Sequence, residues 1–502
     1  MDRMSDTDEY MLPQQAPSAK KTTTFSDDLY VFSEINHFSG IHQPPVKSEW
    51  DPEVWNSIQK HLSLMDLIAL LCVAEPKHSC AAVSFKLLKR TTNGVDILFA
   101  LNSPASKDTK DFVEKAKLCL NRLLQGMTSA DDARMELSHL VFHHCRKKML
   151  ARYKKLVTGL SAISLAELIN DFPNDGNIAD SWGSSLKLSR DQVILALDQI
   201  RTGSLKLDED SHFSTMLGCS IVGYTSGILD DDLSATYEAA SRAIRKFGDY
   251  YHAIYRITKE LLSINRRAGG ITIDIREAIS RKPVSVVLSG TDVLSIINRW
   301  AKDHRYDELT IEALEKAYPL VKRDVIVRPF LKSTELGNTG QAAASEAKNI
   351  KIHECAHAEC SVVMERVKEV LEGLAKTKKR RFVIEVGVSK SVCWTCCQFF
   401  REVHRAFGIR VAYSRHLGKV YAGWAAPECP SLDTYSQVID AVGRAVEGKV
   451  EEIVCNTHNK GKQDSSPLGS PFESTGFLGE KENSMFSWRY VQSWKRKLRC
   501  NC

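Results

Sequence analysis

No stretch of this 502-residue chain is long and apolar enough to suggest a bilayer span. The nearest candidate, Leu62 to Ala74, is short and interrupted by Asp66, so it reads as a buried helix. Nor is the first segment expected to act as a secretory signal. Met1 to Thr24 is polar, acidic and then basic, with no apolar centre. Together these absences predict an intracellular protein, of cytoplasm or nucleus, with no membrane partner. Strong charge of either sign is also lacking. The net charge of +6 permits an acidic partner but does not demand one. No internal repeat is visible. The fourteen cysteines are scattered, without the dense spacing of a disulfide scaffold. Their closest grouping is Cys355, Cys360, Cys393, Cys396 and Cys397, and reduced thiols with metal ligation are the better reading.

What is present is an ordinary globular composition, 43% hydrophobic and 26% charged, long enough for two or three domains. Residues 1–48 are rich in Ser, Thr, Asp, Gln and Pro without periodicity and are expected to be disordered. Residues 49–340 are expected to be mainly helical. Trp55, Ile58, Leu62, Met65 and Ala69 share one helical face, and similar spacing predicts helices over 112–124, 137–156, 234–265, 292–304 and 310–318. Short β-like runs at 271–275 and 284–288 read either as a hairpin or as the start of another domain. Leu336 to Lys348 reads as a linker.

From about 341 to 455 the pattern alternates. Strands are expected at 350–352, 381–388 and 409–413, and helices at 359–374 and 393–407. That alternation implies a sheet with parallel neighbours covered by helices. Residues 456–486 read as a disordered linker. The basic tail, 487–502, holds Trp494, Lys495, Arg496, Lys497 and Arg499.

Chemistry concentrates at His357-Ala358-Glu359 and Cys393-Trp394-Thr395-Cys396. Each group opens an apolar-faced helix. Two cysteines three apart in a first turn point the same way, and a helix start stabilises thiolates through its free N–H groups. His357, Cys393 and Cys396 are therefore candidate ligands of one Zn2+, with one coordination position left for water. Glu359, not needed as a ligand, is the candidate proton carrier. This division of labour suits hydrolytic removal of an amino group from a cytosine- or adenine-type base.

Three stretches carry a resemblance: Ile352 to Glu359, Val386 to Cys396 with its Gly-Val-Ser-Lys lead-in, and Gly418 to Trp424. They resemble the zinc-dependent cytidine-deaminase-like superfamily, and within it the fungal nucleic-acid deaminase-like family. The resemblance covers about 350–430, under a fifth of the chain. It implies a sheet of about five strands between helices, with His357, Cys393 and Cys396 as ligands and Glu359 as proton shuttle; the expected fold is therefore multi-domain, a mainly α N-terminal region preceding this C-terminal α/β/α three-layer domain. The superfamily usually has Pro just before the first Cys; Val392 stands there.

Other residues carry two readings each. Trp394 and Trp424 either stack on a base or pack in the core. Ser389 and Lys390 either line the pocket or belong to a solvated loop. The basic run Lys376 to Arg381 either meets phosphates or is an exposed connection. Cys355, Cys360, Cys397 or His353 would close the site as a fourth ligand in a structural zinc centre. The expected function is a zinc-dependent hydrolytic deaminase with a nucleotide or nucleic-acid substrate. The competing reading is an inactive, zinc-stabilised binding protein whose helical region meets an unidentified partner.

Overall fold

The computed structural model describes residues 25–39, 52–75, 80–88, 94–161, 198–204, 235–321, 351–374, 382–414, 418–428 and 434–462, with 164 and 195 standing alone. The linker at 336–348, the basic run 376–381 and the basic tail lie outside the described residues.

A five-stranded sheet holds the molecule together, in the order β3-β2-β1-β6-β7. Its strands are β1 (Ala81–Leu88), β2 (Gly94–Leu101), β3 (Thr272–Glu277), β6 (Phe382–Val388) and β7 (Ile409–Tyr413). β1 and β2 form an antiparallel pair, and β1 meets β6 antiparallel through Ala82↔Val388 and Val83↔Gly387. β2–β3 and β6–β7 are parallel. A smaller sheet sets β5 (Lys351–Ala356) between β4 (Val284–Val287) and β8 (Trp424–Ala425).

This arrangement differs from the expected division in a specific way. The sheet runs across the expected boundary near 340, because its central strand, β1, comes from the region read as helical. The two β-like runs before 290 do not form a hairpin. β3 joins β2 in the large sheet, and β4 joins β5 in the small one.

Alternation along β1 and β2 sorts side chains onto two faces. Ala81, Val83, Val95, Ile97 and Phe99 face one core with α2 (Pro52–Leu71), α3 (Lys107–Leu124), α4 (Ala130–Ser161) and α5 (Ala235–Ala268). Ala82, Leu98 and Ala100 face the other, with α8 (Ala358–Leu374), α9 (Trp394–Phe407) and α10 (Tyr435–Lys462). Strands buried on both faces carry continuous apolar runs rather than a polar alternation. That is why β2, Gly-Val-Asp-Ile-Leu-Phe-Ala-Leu, is hard to tell from a helix by pattern. On the same second face lie α6 (Val293–Asp303), with Asp292 as its N-cap, and α7 (Ile311–Ala317), capped by Thr310.

Two segments expected to be disordered contain helix. α1 (Phe25–Ser39) buries Leu29, Tyr30, Phe32 and Ile35, and Asp27 Oδ1 accepts a hydrogen bond from Ser289 N at 2.8 Å. α10 extends to Lys462, burying Val438, Val442, Val446, Val450 and Val454. Burial of a helical stripe outweighs polar composition in both.

α2 lies close against β6. A side chain on Gly387 would bring its Cβ to 2.3 Å from the Met65 backbone carbon, so only glycine fits. Asp66, the charge interrupting the apolar run, accepts from Val388 N at 2.6 Å and so ties the helix to that strand's end. On the opposite side a buried ion network fastens α8 to the sheet. Arg366 pairs with Asp96 on β2 and donates to Ser84 O at 2.9 Å and Asp96 O at 3.1 Å. Arg276 on β3 grips the same Asp96 carboxylate through two bonds of 2.9 and 3.0 Å. Burial pushes the Asp96 carboxyl up, but the two guanidiniums hold it below its ordinary value.

Candidate metal centre

The short loop from β5 into α8 carries His357, and the first turn of α8 carries Glu359. Asn102, just after β2, orients this helix start by accepting Ala358 N through Oδ1 at 3.0 Å. Cys393 is the N-cap of α9: its Sγ accepts Cys396 N at 3.4 Å. The capping geometry therefore aims one cysteine at the helix axis and lets the next turn present the second. Gly408 closes α9 in the left-handed region at φ 67°, where glycine is unstrained.

The two helix starts converge. His357 Nδ1 lies 3.5 Å from Cys393 Sγ and 3.3 Å from Cys396 Sγ, and the two sulfurs are 3.3 Å apart. Tetrahedral zinc with ordinary bond lengths separates two thiolates by about 3.8 Å and a thiolate from an imidazole nitrogen by about 3.6 Å. A few tenths of an ångström of outward movement would admit the ion. Ligand atoms of His357, Glu359, Cys393 and Cys396 all lie within 4.8 Å of one another, and all four residues are buried. Among the described residues this is the one such group.

Its electrostatics also suit a cation. Burial pushes the Cys393 and Cys396 thiols well above their ordinary value. Burial also pushes Glu359 up, but the His357 ring beside it, with Nδ1 at 3.8 Å from Oε1, holds it below the usual range. For His357, burial works against the charged form, while Cys393 and Glu359 outweigh it and bring the pKa to about 10. Glu359 Oε2 is buried with no hydrogen-bond partner. A buried carboxylate with one orphaned oxygen, grouped within 4.8 Å of two crowded sulfurs, is costly, and a divalent ion with a water molecule would satisfy both.

Around this group the structure sorts the other expected residues. Trp424 donates from Nε1 to Cys396 Sγ at 3.3 Å, and Phe25 of α1 meets its ring edge-on at 5.8 Å. Trp394 packs edge-on against Phe32 at 4.9 Å. Both indoles are buried, so packing, rather than stacking on a base, accounts for them. Ser389 is engaged with β1: its N donates to Ala81 O and its Oγ accepts Ala81 N, each at 2.9 Å. Lys390, the next residue, is exposed. Of the alternative fourth ligands, Cys360 comes closest, with Sγ 3.4 Å from Cys396 Sγ. Cys397 turns instead to Tyr413, and His353 to Ser285.

Sequence reasoning passed over Tyr421. Its ring stands 5.8 Å from that of His357 at 63°, and the residue is 45% exposed. It is a partly exposed aromatic beside His357. Its place within the Gly418–Trp424 stretch was visible, but exposure is not encoded locally.

A family model described as OTT_1508_deam:-like deaminase matches residues 356–428. That segment is deaminase-like. It contains His357, Glu359, Cys393, Cys396 and Tyr421, and leaves the helical region and β1–β3 outside. Comparison with curated proteins and with solved structures gives no match. No helix among the described residues is long and apolar enough to cross a membrane.

Proposed function

We propose that this protein is a zinc-dependent hydrolytic deaminase acting on a cytosine- or adenine-type base of a nucleotide or nucleic acid. The observation that carries the reading is the Glu359 carboxylate: buried, with Oε2 unpartnered, and grouped with the His357, Cys393 and Cys396 donors inside a deaminase-like segment. His357 Nδ1 and the two sulfurs would hold the ion. When bound, zinc supplies Lewis acidity that makes water a competent nucleophile near neutral pH. The Glu359 carboxylate would take a proton from the attacking water and pass it to the ring nitrogen beside the amino-bearing carbon. It would then deliver a proton to the departing amine, so that water and the amino base become the oxo base and ammonia. Tyr421 flanks the space where the ring would lie. The low pKa direction of Glu359 favours the carboxylate that must first accept a proton.

Glu359→Gln tests this. The variant should keep zinc and fold, because glutamine preserves size and Glu359 is not needed as a ligand. Ammonia release should fall by about 10²–10⁴-fold. Turnover near that of the wild type would refute the assignment.

The second reading, a closed structural zinc site, draws on Cys360 beside Cys396. It is the weaker one. Cys360 stays outside the mutually close donor group, while Glu359 is inside it.

A further inference from the structure

The two candidate ligand sulfurs take their hydrogen bonds from different places. Cys393 is the N-cap of α9, and its Sγ accepts the Cys396 backbone N–H at 3.4 Å. Cys396 sits inside the first turn, and an N–H donor reaches its sulfur from outside the helix: Trp424 Nε1 donates to Cys396 Sγ at 3.3 Å. Trp424 is 1% exposed, so bulk water cannot satisfy its N–H, and a buried indole needs an acceptor.

The surroundings fix that indole. Gly423 lets β8 press onto β5: a Cβ there would collide with His353 O, so any side chain would push the strand away. Cys355 N donates to Gly423 O at 2.9 Å, and Cys355 pairs with Trp424 in parallel register. Phe25 of α1 meets the indole edge-on at 5.8 Å, and Phe399 of α9 lies 6.2 Å from it at 56°. α1 lies outside the deaminase-like segment, yet it is bound to it: Ser26 Oγ donates to Glu354 on β5, and Ser33 Oγ donates to Val420 O at 3.2 Å.

We propose that Trp424 is a positioning residue of the metal centre: its indole N–H orients the Cys396 thiolate toward the ion and draws off part of its charge. The proposal rests on the zinc reading of the centre and not on deamination. A buried thiolate without a donor would hold its whole charge in an apolar core. A hydrogen bond to a ligand sulfur fixes the sulfur's direction and tunes its donation to the metal. Trp424 touches neither the ion nor the reacting base; it acts through Cys396.

The test uses the full-length protein loaded with Co2+ in place of Zn2+, because the thiolate-to-cobalt charge-transfer band reports on the sulfurs directly. Trp424→Phe removes the N–H. A second variant carries 3-benzothienylalanine at Trp424, which keeps the two-ring shape and lacks the N–H. Both should move the band to longer wavelength, since a thiolate without its donor gives up electron density more readily. Zinc affinity, read by competition with a chelating dye, should fall about 10–100-fold. Trp300→Phe is the control. It removes an equally buried indole of the same core, stacked on His304 and Tyr306, and should move neither readout. An unmoved band in the benzothienyl variant overturns the proposal, as does an equal shift from Trp300→Phe. If Trp424→Phe fails to fold, the benzothienyl variant decides alone. A wild type with no thiolate-to-cobalt band removes the metal centre and this proposal with it. A shifted band in a protein whose wild type releases no ammonia from any nucleoside, nucleotide or oligonucleotide keeps the role of Trp424 and removes the deaminase.

Discussion

Replacing Lys148 by methionine should make the protein more stable, by an amount that depends on pH. The ammonium is buried on α4 without a carboxylate partner, and burial, with Arg152 and Lys390 nearby, lowers its pKa from 10.5 to about 8. The unfolded chain therefore binds this proton more readily than the folded one, and stability contributed through Lys148 rises with pH between those two values. Below pH 8 the full penalty applies. At 1.36 kcal/mol per unit, it is about 3 kcal/mol at pH 7, about 2 kcal/mol at pH 9 and under about 1 kcal/mol at pH 10. Methionine keeps the length and apolar stem and removes the charge. Urea denaturation of both proteins at pH 7 and pH 10, without phosphate present, reads the difference directly. Lys148→Met should gain about 2–3 kcal/mol at pH 7 and little at pH 10. A variant that is less stable at pH 7, or a difference independent of pH, would refute the account of Lys148 as an uncompensated buried cation.

Three further outcomes follow from the same geometry. Asp96→Asn strips the shared anion from Arg366 and Arg276 and should cost about 3–5 kcal/mol, since Arg366 is only 4% exposed. Because the Asp96 carboxyl is held below its ordinary value, the wild-type advantage should shrink as acid protonates it, which urea titrations from pH 7 down to pH 3 would show. His357→Ala, Cys393→Ser and Cys396→Ser should each lower zinc content measured by mass spectrometry, whereas Cys360→Ser should retain it; the opposite pattern would mark a closed structural site. A fragment spanning 341–462 should fail to fold cooperatively, because it lacks β1 and β2 and leaves β6 without its antiparallel neighbour. A soluble, zinc-binding fragment with protected amides in β6 would contradict the shared sheet.

How much of this was legible beforehand depends on whether the signal was local. The capped helices were readable to within a few residues: Asp292 and Thr310 act as N-caps where periodicity predicts helix starts, and β7 spans 409–413 as expected. The hairpin at 81–101 was not readable. Its strands are buried on both faces, so the alternation that betrays a strand is absent. The stripes of α1 and α10 were obscured by polar neighbours, although Phe32 and Val442 end up deep in the second core.

The sequence by itself determined which residue types gather at the centre. His357, Glu359, Cys393 and Cys396 are placed by helix starts, and helix starts depend on residues within one turn. Their side-chain types are ones that could hold a metal ion. Only the tertiary structure decided what surrounds them. A strand takes its hydrogen bonds from partners elsewhere in the chain, so nothing near β6 announces that β1, some three hundred residues earlier, completes its sheet. Exposure likewise belongs to the packed molecule: it buried Trp394 and Trp424 and left Tyr421 partly exposed. Lys148 could be found only in this way, since a charge on a long helix reads as solvated until the fold closes over it.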